Sequence, residues 1–469
     1  MIILKKMAEH KKWIITMFVV GLISGLLNYS TLGAKDTLMF SIATFLLLVC
    51  LYLLYKKERK YSIIIFIIGM PFLVMARKVV MFDFLLFRIT YESLYITILF
   101  ATGIKRYISE FINLRNDKID IVLKISLCLL IIFAYNSSFF SDNIMKSLAE
   151  VYSSVLVPLF FFLSIIGEFT KKDIKLIYIS LMISLDFSCF YGFLQVLSVR
   201  SISNRDMLTF GYHNVNIFAM LLMLEFPLLL EMILYHAKQK REKIFYLISL
   251  LVQLMALYVT HTRGAWISAI IVIFILLMSK RYKKVFYAFA AVGLLFSKKI
   301  ISFVLSRGTG KAFLKSESTI ARVQSFYTSL KSITYYPLGV GGDNFPEIYR
   351  VLAPRGYEIM PESFRTQIVT AAYTLEAAHN LWLQVMVEYG IITMIAFFIV
   401  VIIMAIISFK QKSNRGLFAA VICYMIFSML TGVEFNHKGV LTHTLVIWTI
   451  FAMIIINRKR EDSNVKKDN

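Results

Sequence analysis

The sequence predicts an all-α polytopic membrane protein of about 12–14 transmembrane helices with one large extracytoplasmic loop. Three observations predict it. Hydrophobic residues make up 59% of the 469 positions and Pro only seven, where soluble chains are nearer half apolar. The apolar residues fall in runs of about 20, the length that crosses a bilayer core of roughly 30 Å. Lys and Arg then concentrate in every second connection. Only helices satisfy their own backbone polar groups in segments of this length, so each run is read as a helix.

Along the chain the expected spans are 13–32, 37–55, 62–76, 83–103, 119–136, 148–167, 174–197, 215–235, 245–260, 264–279, 285–298, 381–408, 416–433 and 439–456. The first follows Lys11 and Lys12, is too long for a signal-peptide core and lacks a small-residue cleavage site, so it is expected to be retained. One set of connections and ends, including KKERK at 56–60, KQKREK at 238–243 and KRYKK at 280–284, holds 31 Lys and Arg. The alternate short connections hold eight. By the positive-inside rule both termini are cytoplasmic. The net charge of +23 is distributed between spans and therefore points to a membrane surface, with no nucleic-acid partner expected. Cys50, Cys128, Cys189 and Cys423 all lie in apolar runs and read as small core residues.

Three regions follow: N-terminal transmembrane helices at 1–209, a transmembrane core at 210–456 and a cytoplasmic tail at 457–469. The core includes the extracytoplasmic loop 299–380, the only connection long enough to hold structure of its own. Within it, 319–334 has the pattern of an amphipathic helix, and Pro337-Leu338-Gly339 and Gly341-Gly342 mark turns.

Candidate chemical residues cluster on the side that holds this loop. Arg263, in THTRGAW at 260–266, opens a span, where an arginine either snorkels or holds an anion. Glu317, Arg322 and Lys331 punctuate the amphipathic segment, and Arg322 either meets an anionic ligand or faces water. His379 and Asn380 precede the span that follows the loop. Imidazole, with an ordinary pKa near 6.5, suits a general base, and equally suits an interfacial position. Glu388 is a carboxylate inside that span that needs a partner, and helix packing competes with a chemical role. Arg88 and Glu92 have the spacing to pair on one helix face, whereas Asp186 and Glu225 have no evident local partner. His213, His261 and His437 are further histidines on the loop side, and no pair has the spacing of a zinc-binding helix, so no metal is expected.

Taken in order, four stretches resemble the O-antigen ligase and O-antigen polymerase superfamily of membrane glycosyltransferases. They are FGYHNVNIFA with Asn214 and Asn216, then THTRGAW, then Arg322 to Asn344 with its Pro-Leu-Gly-Val-Gly turn, then Ala378-His379-Asn380 ahead of Glu388 and Gly390. The resemblance covers about 210–450; His261 stands where a serine is frequent, and two spans exceed the family's usual dozen. It implies a polyprenyl-diphosphate-linked glycan donor, an acceptor glycan or glycolipid, no cofactor, and a cytoplasmic-membrane location. It also implies that Arg263 and Arg322 contact the diphosphate, that His379 is the general base, and that Asn380, Glu388, Asn216 and His261 support them, Asn380 by orienting His379 or capping the helix. Transfer of a glycan onto a different acceptor is the expected reaction; polymerisation of lipid-linked repeat units is the alternative. A flippase for lipid-linked glycans would show two related halves, which this sequence does not.

Overall fold

In the computed structural model the described residues are 10–80, 82–84, 87–114, 117–199, 208–212, 214–278, 282–299, 302, 317–365, 374–411, 414–429 and 441–458. His213, His437, the loop segment 303–316 and the tail from 459 lie outside them. The described residues are helical almost throughout. The N-terminal helices are α1 (Lys11–Leu27), α2 (Tyr29–Tyr55), α3 (Arg59–Val80), α4 (Tyr91–Ile112), α5 (Lys118–Ser138), α6 (Ile144–Val151), α7 (Val157–Glu168) and α8 (Ile174–Val199). The core continues with α9 (Val215–Glu231), α10 (Lys240–Thr260), α11 (Arg263–Leu277) and α12 (Lys283–Leu295). The loop region contributes α13 (Glu317–Tyr335), α14 (Phe345–Glu358) and α15 (Glu362–Arg365), and the chain closes with α16 (Leu381–Lys410), α17 (Arg415–Ser428) and α18 (Leu441–Arg458).

Eight helices among the described residues are long and apolar enough to cross a membrane, and α11, α17 and most of α18 are shorter apolar helices. The three other expected spans are also helical. At 13 residues α12 reaches only about 20 Å at 1.5 Å per residue, α1 has 17 residues, and α4 carries Glu92, Lys105, Arg106 and Glu110. Outward faces are apolar, as lipid contact requires; Ile121, Ile125 and Ile132 on α5 and Ile248, Leu251 and Met255 on α10 are exposed. Cys50, Cys189 and Cys423 are buried as expected, but Cys128 is on an exposed face.

One local expectation fails. The span expected at 83–103 begins only at Tyr91, because Phe82–Phe84 and Phe87–Ile89 form an antiparallel two-stranded ribbon. Arg88 therefore sits in a strand, opposite Asp83 in register, so Arg88 and Glu92 do not share a helix face as expected. A Phe-rich run reads as span or strand alike when periodicity is its only signal. Thr90 and Ser93 then cap α4 reciprocally, which fixes its start.

Ion pairs tie the basic connections together at one end of the bundle. His10 meets Glu58 at 3.5 Å, Lys60 meets Asp173 at 2.7 Å, and Arg106 meets Glu168 at 3.1 Å. Lys175 meets Glu242 at 2.8 Å, and Arg458 engages both Asp117 and Asp120. At the opposite end several helices begin on asparagine. The Asn143, Asn214 and Asn380 side chains each accept a backbone N–H from the first turn of α6, α9 and α16, satisfying donors a helix start leaves open.

At this second end the chain from Pro337 to Phe345 docks into a break in α16. Gly390 has φ 86° and ψ 165°, so the helix is interrupted there. The freed backbone groups are taken by the turn: Val340 N–H donates to Val387 O at 3.1 Å, Gly341 N–H to Glu388 O at 2.8 Å, and Ile391 N–H to Pro337 O at 3.0 Å. Contact is backbone to backbone; a Cβ on Gly339 would lie 2.5 Å from Glu388 O, and one on Gly390 would lie 2.5 Å from Leu338 C. Both glycines also need positive φ. A small apolar cluster of Val340, Phe345, Tyr349, Leu383, Met386 and Val387 seals the joint. Gly390→Ala should cost at least about 1–3 kcal/mol, from the left-handed backbone and the clash together. Thermal unfolding in detergent checks this, and a wild-type midpoint would show that the turn is not held as described.

Candidate active site

The residues around His379 are fixed from both sides. Ala378 N–H donates to Gln384 Oε1 at 2.8 Å, and Ala378 O accepts from Ser325 Oγ at 2.9 Å. Asn380 closes the other side: its Oδ1 caps α16 at Leu383 N–H, 3.2 Å, and its Nδ2 donates to Met429 O at 3.2 Å. Of the two roles foreseen for Asn380, the structure shows the cap. His379 itself takes φ 54°, a left-handed conformation that histidine tolerates better than most side chains.

Arg322 lies one helical turn before Ser325 on α13, on the same face. The Ser325 bond to Ala378 therefore carries Arg322 to His379, and the two side chains interact electrostatically. Burial pushes the His379 pKa below its ordinary value, and the Arg322 guanidinium pushes it further the same way. Imidazole at this position is thus kept neutral, with a lone pair to accept a proton. α13 owes its close approach to small polar residues: Ser325, Thr328, Ser329 and Ser332 are buried, and Gly356 of α14 packs directly on Thr328. The helix expected at 319–334 is present, with a buried face of polar residues, Gln324 with serines and Thr328, where an apolar stripe was the signal for it.

Arg263 is the first residue of α11. Just before it, His261 ends α10 in the left-handed conformation (φ 47°, ψ 30°), with its ring 5.7 Å from Tyr258 and 6.1 Å from Trp266. Thr262 Oγ1 donates to Asn216 Oδ1 at 3.5 Å, so Asn216 braces the turn that aims Arg263. Asn216 is itself placed by the Asn214 cap, its N–H donating to Asn214 Oδ1 at 2.7 Å. α11 runs antiparallel to α17, with Cys423 Sγ 4.0 Å from Ser268 O, so Arg263 shares its end of the bundle with Met429 and hence with Asn380. Nε of each arginine is shut off from solvent.

Glu388 is fully buried and stands away from the histidine, in the joint. Its Oε1 accepts the Phe345 N–H at 3.2 Å, which places a carboxylate at the N-terminus of α14. This is a packing and capping role.

A set of residues from the N-terminal helices completes the joint and was not legible as functional. Gly342 N–H donates to Ser147 Oγ at 2.8 Å, which in turn donates to Ser138 Oγ at 2.9 Å. Asn344 Nδ2 donates to Ser141 Oγ at 2.8 Å, Lys146 pairs with Asp343 at 3.0 Å, and the Tyr389 hydroxyl lies 3.1 Å from Ser154 Oγ.

Fold and site together define a polytopic membrane protein with two arginines and a neutral histidine collected at the end of the bundle remote from its basic connections. Residues 248–398 match the family model described as O-antigen ligase, which bears out the resemblance to the O-antigen ligase and polymerase superfamily. The matched stretch holds Arg263, Arg322, His379 and Glu388, and it supports a ligase- or polymerase-type glycosyltransferase of surface-polysaccharide synthesis. No curated protein matches the chain.

Removing the guanidinium takes away a positive charge that disfavours imidazolium, so Arg322→Gln should raise the His379 pKa towards about 6.5. An NMR titration of the imidazole in detergent reads this directly; an unchanged titration would mean that Arg322 does not act on His379.

Proposed function

We propose that the protein transfers a glycan from a polyprenyl-diphosphate carrier to a hydroxyl of an acceptor glycan or glycolipid at the outer face of the cytoplasmic membrane. The observation that carries this reading is the seat of His379: partly buried, held neutral, and beside Arg322. In the proposed reaction the acceptor oxygen attacks the anomeric carbon as His379 takes its proton. The bond from that carbon to the diphosphate oxygen breaks, and the diphosphate leaves with the electron pair. Arg263 and Arg322 supply positive charge where that pair goes, and their planar forks suit diphosphate oxygens.

The arrangement couples donor binding to base strength. Without donor, Arg322 lowers the basicity of His379. A bound diphosphate offsets that charge, so the base strengthens once the leaving group is in place. The lipid-facing helices and the basic connections gathered at the far end support placing this site on the outer side, with both termini cytoplasmic. Transfer onto a distinct acceptor is preferred over repeat-unit polymerisation because the family match carries the ligase description.

The test is glycan transfer from a polyprenyl-diphosphate donor in right-side-out vesicles, with a membrane-impermeant acceptor added outside. Wild type should form product, His379→Ala should lose it, and Arg263→Lys should fall by about 10-fold or more because a lysine makes no bidentate contact. Product formed by His379→Ala at the wild-type rate, or formed only in inverted vesicles, would contradict the reading.

A further inference from the structure

Away from the proposed active site, α8, α9 and α10 hold two carboxylates near the middle of their lengths, Glu225 buried and Asp186 half-buried. Asp186 on α8 accepts from Ser249 Oγ through both oxygens, at 2.8 and 2.7 Å, and from Gln253 Nε2 at 3.4 Å. Gln253 also donates to Ser249 Oγ at 3.3 Å. Those acceptors fix the amide orientation, so its carbonyl oxygen is the free end. Gln253 is 1% exposed, and among the described residues its Oε1 has no donor. Glu225 on α9 is 4% exposed, and its Oε2 likewise has no donor among them. Glu225 and Gln253 line one cavity of about 10 Å³, room for a single water-sized occupant, whose wall includes Tyr178 and Tyr246. Asp186 and Ser249 line a neighbouring groove of about 230 Å³ walled by Phe190, Phe193 and Phe245.

The charges do not balance. Asp186 is the acidic neighbour of Glu225, and the other titratable groups that interact with the pair are Cys189 on α8 and Tyr212 before α9. α11, α17 and α18 also pack on α9, yet the cavity wall is drawn from α8, α9 with its following turn, and α10, and holds no basic side chain. Glu231, six residues along α9, has a basic neighbour: the Arg415 charge lies near it, and its Oε2 accepts from the Tyr178 hydroxyl at 3.4 Å. Two ionised carboxylates at mid-bilayer with no such partner are too costly to stand alone. Free acceptor oxygens around a water-sized space call for an occupant that brings positive charge.

We propose that Asp186, Glu225 and Gln253 form an intramembrane site for one exchangeable monovalent cation, a proton or Na⁺. The site is independent of the glycan chemistry proposed above. α9 starts at Asn216's turn and α10 ends just before Arg263, so the site shares these helices with the candidate active site.

The experiment is labelling of the purified full-length protein in nanodiscs with dicyclohexylcarbodiimide, which modifies protonated carboxyls in apolar surroundings, mapped by mass spectrometry. Infrared difference spectra of the carboxylic C=O stretch are recorded alongside, so that poor reagent access is not mistaken for ionisation. The expected result is labelling of Asp186 or Glu225 at neutral pH, and a C=O band that Glu225→Gln changes. Labelling and band should fall several-fold as pH rises. A further fall at constant pH when Na⁺ replaces choline identifies Na⁺ as the occupant; a response to pH alone identifies the proton. A label and band that stay constant across both titrations, or are absent throughout, would overturn the proposal.

Discussion

The insertion of the 337–345 turn into the broken α16 is the contact on which the rest of the functional end depends. A helix interrupted in an apolar setting leaves backbone donors and acceptors that cannot be left unpaired. Here Val387 O, Glu388 O and Ile391 N–H are all taken by the turn. The break at Gly390 and the turn at Gly339 are therefore one feature, since neither is stable without the other. Glu388 adds a side-chain cap to α14, a hydrogen bond worth about 0.5–1.5 kcal/mol.

Everything proposed for catalysis hangs from this joint. α13 leads into the turn, α14 leaves it, and the first turns of α16 lie beneath it. Ser325 reaches across to Ala378, and that bond, with the packing of α13 on α16, sets Arg322 near His379. The N-terminal helices hold the other side of the turn through Ser141, Ser147 and Lys146. They thus serve as a scaffold for residues far along the chain.

Much of this was legible in the sequence, for identifiable reasons. Helix positions follow from apolar run length, a signal that survives any detail of packing. Arg263, Arg322 and His379 stood out as a set through the order of the motifs that hold them, since each alone reads equally as an interfacial or solvent-facing residue. Serines are chemically unremarkable, and Ser141 and Ser147 meet partners about 200 residues away (203 and 195 in separation), so nothing local marked them. Glu388 left packing and chemistry both open in the sequence, and the hydrogen bond it makes here caps α14. The ribbon at 82–89 was missed because aromatic residues suit strand and span equally.

Trapping the joint covalently tests the central claim most directly. With the four native cysteines replaced, Ser141→Cys and Asn344→Cys should cross-link readily in native membranes, since those side chains are in hydrogen-bond contact at 2.8 Å. Glycan transfer should persist in the cross-linked protein, because the turn is already docked in the working state. Failure to cross-link, or cross-linking that abolishes a transfer activity present before oxidation, would contradict the account.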